Sequence, residues 1–128
     1  MIRVLLVEGD QAERAALARA LGEVSGIDVV GQVGDGSVAP SAVMALNPDV
    51  VVLAAHLPTI AGPDAAALLA AECPQVRVVG LGDRSETRAL SAMRDAGAVG
   101  VVAPHRGPGR PRRGHPRRRH LRLRRQVA

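Results

Sequence analysis

Phenylalanine, tyrosine and tryptophan are all absent from this 128-residue chain, so it has no aromatic platform on which to stack a nucleobase or a sugar ring. Lysine is absent too, and all 17 basic side chains are arginine. Together these absences point to a GC-rich gene rather than to selection at each position. The single cysteine, Cys73, excludes an internal disulfide and a thiolate metal cage. Long apolar runs are missing as well. The opening Met1-Ile2-Arg3, followed by a short apolar run that ends at Glu8, makes neither a signal peptide nor a membrane span. A cytoplasmic protein with no membrane partner is expected.

What is present is aliphatic. Hydrophobic residues make up 47% of the chain, and the core must be built from Val, Leu and Ala with a few Ile and Met. The length suits one domain with a single core. The net charge of +5 conceals a split between two materials. Residues 105–128 hold ten Arg and no acid, a charge of +10, whereas residues 1–104 hold seven Arg and all twelve acids, a charge of −5. The expected division is therefore a folded domain over 1–104 and an Arg/Pro-rich basic tail over 105–128.

Within the first part, apolar runs alternate with helical patterns. Residues 2–7 read as a strand, and Asp10 is placed to cap a helix over 11–21, where Ala12, Ala15, Ala16, Leu17, Ala20 and Leu21 recur at helical spacing. A second strand is expected over 27–33, a turn at Gly34-Asp35-Gly36, and a helix over 37–46 with Pro40 in its first turn. Residues 48–62, PDVVVLAAHLPTIAG, begin with Pro-Asp, run through Val50, Val51, Val52 and Leu53, and open into a loop with Pro58 and Gly62. Such a run reads as a strand buried on both faces of a parallel sheet. A helix from Pro63 or Asp64 to about 72, a strand over 76–81, a helix over 85–96 closed by Gly97, and a strand over 98–103 complete the pattern. Five strands alternating with four helices make a doubly wound parallel α/β sheet. In such sheets the site lies past the carboxyl ends of the strands.

In that register the segments MIRVLLVEGD, IDVVGQVGDG, PDVVVLAAHLPTIAG, VRVVGL and AMRDAGAVGVV resemble the receiver domain of bacterial response regulators, closest to the class that carries a C-terminal helix-turn-helix. The resemblance covers residues 1 to about 103. It implies a flavodoxin-like strand order 2-1-3-4-5, which periodicity alone does not supply. It also implies phosphoryl transfer from a histidine kinase to an Asp after strand three, with Mg²⁺ held by that carboxylate and an acidic pair after strand one. A Ser or Thr after strand four and a Lys after strand five complete the set.

Carried over position by position, the nucleophile falls on Ala54, the acidic pair on Glu8 and Gly9, the hydroxyl on Gly82, and the Lys on Ala103 or Pro104. The aromatic that reports phosphorylation in many receivers falls on Val101. One carboxylate survives of the whole set. The expectation is a degenerate receiver, blind to phosphorylation, not an enzyme, with no cofactor and its Mg²⁺ binding lost. Ala54, Ala55, Gly9 and Gly82 are expected to leave a roomy, apolar pocket that could take a ligand.

Other features have plainer readings. Residues 80–85, GLGDRS, resemble a dinucleotide-binding glycine loop only faintly, lacking the third glycine and sitting at strand four. His56, without Cys or His partners, reads as a loop residue. Cys73 reads as a packing residue.

The tail departs from all periodicity, and Pro104, Pro108, Pro111 and Pro116 forbid a helix before Arg117. A receiver has a fifth helix here, so strand five and the Ala/Leu face of the first helix are expected to lie uncovered. A partner, a second copy, or a short basic helix over 117–127 with Leu121 and Leu123 would have to cover them. Three readings of the tail stay open. It is an electrostatic arm contacting nucleic acid through Arg110, Arg112, Arg113, Arg117, Arg118 and Arg119, a solvated end without a role, or a shifted reading frame, which its composition favours and which would hide a missing DNA-binding domain. Two functions follow: a phosphorylation-independent module of two-component signalling and transcription regulation, working through a partner or a homodimer at helix four, strand five or the uncovered helix-one face; or a nucleic-acid-binding protein with the receiver fold as scaffold.

Overall fold

The structure is a computed structural model in which residues 1–102 are described. Its elements run β1 (Ile2–Val7), α1 (Gln11–Gly22), β2 (Ile27–Val33), α2 (Ala39–Leu46), β3 (Val50–Ala54), α3 (Gly62–Glu72), β4 (Arg77–Leu81), α4 (Thr87–Asp95) and β5 (Gly100–Val102). The five strands form one parallel sheet in the order β2-β1-β3-β4-β5. This is the doubly wound, flavodoxin-like order.

The apolar run of β3 is explained by its position in the middle of that sheet. Val51 and Leu53 face a cluster with Leu5, Val7, Val43 of α2, Leu69 of α3 and Leu90 and Met93 of α4. Val50 and Val52 face the opposite cluster with Val4, Leu6, Val79 and Leu17 and Leu21 of α1. All four side chains are fully buried. A strand covered on both faces has no reason to alternate, so its sequence does not. Its amino end is tied in by Asp49, whose carboxylate accepts the Arg3 backbone N–H at 2.8 Å and whose backbone bonds both β1 and β4. Arg3 in turn donates its guanidinium to the carbonyls of Leu46 and Asn47, satisfying the last turn of α2.

Several element ends differ from the sequence-based expectation. The helices expected from residues 37 and 85 are each preceded by a separate 3₁₀ turn, Gly36–Val38 and Arg84–Glu86, and α-helix starts only at Ala39 and Thr87. In both turns an Asp two residues before a Ser accepts that Ser's backbone N–H at 2.9 Å, Asp35 from Ser37 and Asp83 from Ser85. This tightens the entry to i→i+3 geometry. The fourth strand starts at Arg77 rather than Val76, because the Val76 N–H bonds back to the Cys73 carbonyl in the turn leaving α3. The fifth starts at Gly100 rather than Ala98, whose N–H still terminates α4 on the Met93 carbonyl. Between them Gly97 takes φ +123°, a left-handed value suited to glycine.

The first helix is also less bare than expected. Of its Ala and Leu residues, Leu17, Ala20 and Leu21 are buried against the sheet, Ala18 is half-buried, and Ala12, Ala15 and Ala16 are exposed. The expected loss of a fifth helix, the expected boundary at 104/105 and the short basic helix expected over 117–127 lie outside the described residues. No helix among the described residues is long and apolar enough to cross a membrane.

Candidate functional site

The carboxyl ends of β1, β3 and β4 open into a cleft of about 330 Å³. In a parallel sheet all strands exit on one edge, which is why residues distant in sequence gather here. From the loop after β1 come Glu8, Gly9 and Asp10, and from the first turn of α1 comes Glu13. The end of β3 supplies Ala54, and the loop beyond it His56 and Pro58. Leu81, Gly82, Asp83 and Glu86 come from the end of β4 and its loop. The structure thus brings together Glu8, Gly9, Ala54 and Gly82, four of the positions at which the sequence places receiver chemistry. Pro104 and the tail residues Arg110, Arg112, Arg113, Arg117, Arg118 and Arg119 lie outside the described residues.

Ala54 is almost fully buried and pairs in register with Leu81 on β4. Its neighbour Ala55 donates its N–H to the Leu81 carbonyl at 2.8 Å and accepts the Gly62 N–H at 2.9 Å. Gly62 must be glycine: a Cβ there would lie 2.6 Å from the Ala54 carbonyl oxygen and 2.7 Å from the Ala55 Cα. Position 9 is tight as well, since a Cβ on Gly9 would come within 2.8 Å of the Pro58 ring.

The cleft is not the apolar pocket expected from its alanines and glycines. Five carboxylates line it, those of Glu8, Asp10, Glu13, Asp83 and Glu86, and Ala55 is not part of the lining. Asp10, Glu13, Asp83 and Glu86 carry no receiver signal in the sequence because each lies one to four residues beyond Gly9 or Gly82, where an acid reads as a loop or helix-start residue. Capping is indeed what occupies several of them. Asp10 caps α1 by accepting the Glu13 N–H at 2.9 Å. Asp83 and Glu86 form a reciprocal capping box, in which the Glu86 carboxylate accepts the Asp83 N–H at 2.9 Å. The half-buried Glu8 accepts the Asp10 N–H at 3.3 Å. Burial pushes its carboxyl above the ordinary value; the backbone N–H groups of Asp10 and Gly9 oppose this, and the nearby charges of Glu13 and Asp10 add to it.

Mg²⁺, which the receiver resemblance implies, finds a poor donor set here. A hard divalent ion wants near-octahedral oxygens at close range, including free carboxylates. Among the described residues no three His, Cys, Asp or Glu side chains converge to hold a metal ion. Elsewhere at this edge Thr59 donates its hydroxyl to Asp35 at 2.6 Å, linking the loop after β3 to the loop after β2. That bond and the Ser37 N–H hold the Asp35 carboxyl below its usual value. Cys73 is buried in the core, where burial raises its thiol, so it has the packing environment of an unreactive cysteine.

Comparison with known proteins agrees with this topology. Residues 4–105 match the response regulator receiver domain family. The response regulator GacA of Pseudomonas viridiflava is 32% identical over 107 residues, covering 84% of this chain and 50% of that protein. A protein-glutamate methylesterase/protein-glutamine glutaminase of Geobacter metallireducens is 34% identical over 113 residues, covering 87% of this chain and 33% of that protein. The chain therefore spans half or less of the length of these relatives. Among solved structures, the response regulator domain of Thermotoga maritima CheB superposes with a TM-score of 0.83 at 24% identity, covering 99% of this chain and 93% of that one, a likeness of fold. The receiver domain of a response regulator NarL from Mycobacterium tuberculosis gives 0.72 at 26% identity, covering 80% and 82%.

Proposed function

We propose, from the premise that this chain belongs to the response regulator receiver domain family, that it is a receiver module that works without phosphorylation. Its role is in two-component-type signal transduction and transcription regulation, exerted through contact with a partner protein or a second copy. The observation that carries this is the methyl group of Ala54 at the end of β3, on the cleft where the family's nucleophile belongs. An alanine side chain has no lone pair to attack phosphorus. Gly82 offers no hydroxyl, Gly9 no second carboxylate, and the chain contains no lysine. Specific Mg²⁺ binding and enzymatic activity are both expected to be absent: among the described residues Asp10, Asp83 and Glu86 already bond backbone N–H groups at the cleft, and Ala54 stands where the nucleophile would.

The test is incubation of the full chain with acetyl phosphate and Mg²⁺, followed by intact mass. No added phosphate is expected, whereas a stoichiometric, acid-labile adduct of ~80 Da, the mass of one phosphoryl group on an aspartyl-type acceptor, would sink the reading. Calorimetric titration with Mg²⁺ gives the companion result, with no saturable heat expected.

One observation favours a second reading: residues 105–128 carry ten Arg and no acid. Such a segment neutralises phosphates without sequence choice, and its affinity falls steeply with salt. A DNA shift assay across a salt series, on the full chain and on a variant with Arg112, Arg113, Arg117, Arg118 and Arg119 changed to Gln, separates the two. Binding that is lost in the variant supports the arm, and equal absence of binding in both leaves the interaction module.

A further inference from the structure

The loop joining β4 to α4, residues 82–86, holds a second arrangement at the position where the receiver family carries its hydroxyl. The Glu86 side chain folds back along this loop, its Oε1 accepting the Asp83 N–H at 2.9 Å. Asp83 answers by accepting the backbone N–H of Ser85 at 2.9 Å and the Ser85 hydroxyl. Thr87 then donates its hydroxyl to the Arg84 carbonyl at 2.7 Å, closing the first turn of α4. Every one of these bonds lies between residues 83 and 87 and needs no ligand.

The same carboxylate leans over Gly82. A Cβ at Gly82 would lie 3.2 Å from Glu86 Oε1, 3.3 Å from Glu86 Cβ and 3.3 Å from Ala55 Cβ. The glycine therefore does more than lack a hydroxyl, because its bare Cα leaves the Glu86 side chain uncrowded. A side chain at 82 would press on the closed box, which would have to give by a few tenths of an ångström.

We propose that Glu86 is a positioning residue that, with Asp83 and the space left by Gly82, locks the β4–α4 loop in a single conformation and holds α4 fixed without any bound signal. This rests on the phosphorylation-independent reading and says how such a module keeps a constant surface. With Leu90 and Met93 anchored in the core, the exposed face of α4, including Arg88, Ser91 and Arg94, is then presented in one orientation.

Amide hydrogen exchange on the full chain tests the lock. In Glu86→Ala the Asp83 amide is expected to exchange about fivefold faster, the change given by loss of one hydrogen bond of ordinary net strength. Glu86→Gln keeps an acceptor oxygen and is expected to restore protection close to wild type. Gly82→Thr is expected to speed the same amide by pressing on Glu86, and to add little further in the Glu86→Ala background. If Gly82→Thr does not fold, Gly82→Ala carries the same Cβ and completes the cycle. Unchanged exchange in Glu86→Ala, failure of Gln to rescue, or strictly additive effects at 82 and 86 would each overturn the lock. The acetyl phosphate experiment reports independently: an adduct there removes the phosphate-blind reading and leaves the exchange result to decide the lock alone.

Discussion

The middle of β3 and the rim just past its end differ in what they demand of a side chain. Val50, Val51, Val52 and Leu53 are fully buried between two helical layers, and only shape and apolarity matter to them. Ala54, Gly9 and Gly82 border a cleft, where receiver chemistry demands particular charges and hydroxyls. The strand has kept everything its position requires. On the proposed reading the rim has kept one carboxylate, Glu8, and around it Asp10, Asp83 and Glu86 serve as caps. Packing constraints and reaction constraints are held by different atoms, so the proposed loss of the reaction leaves the packing untouched.

Substitutions along this line sharpen the contrast, beginning with the largest effect. Leu53→Ala should remove about 3 kcal/mol of stability by opening a cavity between α2, α3 and α4, read as a lower urea midpoint. Gly62→Ala should cost about 2 kcal/mol, because its Cβ would press on the Ala54 and Ala55 backbone at 2.6–2.7 Å, measured the same way. At the rim, Asp10→Ala should cost about 1 kcal/mol through loss of the α1 cap. A loss there as large as that of Leu53→Ala would break the distinction between strand and rim.

The smallest effect has the opposite sign. Because burial raises the Glu8 carboxyl in the folded chain, the stability tied to it is fully present below the ordinary value of 4.5 and is lost as pH rises through the raised value. Glu8→Gln, which keeps an acceptor for the Asp10 N–H, should therefore be slightly more stable than wild type at neutral pH. That advantage should vanish below the ordinary glutamate value, as followed by thermal melts across the acid range. A destabilised Gln variant at neutral pH would mean that ionised Glu8 is needed at the rim.

Much of the fold could be read from the residues before any coordinates. The apolar runs mark β1 and β2 to the residue, and the unbroken Val50–Leu53 run betrays a central strand because both its faces are covered. The ends of α2 and α4 were harder. In sequence Ser37 and Ser85 look like helix starts after a turn or loop, and only backbone geometry shows that each preceding Asp first closes a 3₁₀ turn on its Ser. That Asp-x-Ser spacing was the available signal. The strand order came from family likeness, since hydrophobic period reports which faces are covered and says nothing of neighbours.

The candidate site divides in the same way. That position 54 is a methyl, that 9 and 82 have no side chain, and that lysine is absent follow from the residues alone, because these are matters of composition at positions set by register. Only the tertiary structure decided what surrounds those positions. Parallel strands bring their carboxyl ends to one edge, so Asp10 and Glu13 after β1 and Asp83 and Glu86 after β4 line the same cleft, and a pocket expected to be apolar is acidic. Likewise, only the folded loop shows Glu86 leaning over Gly82. Asp83 and Glu86, three residues apart in sequence, close a capping box beside that glycine.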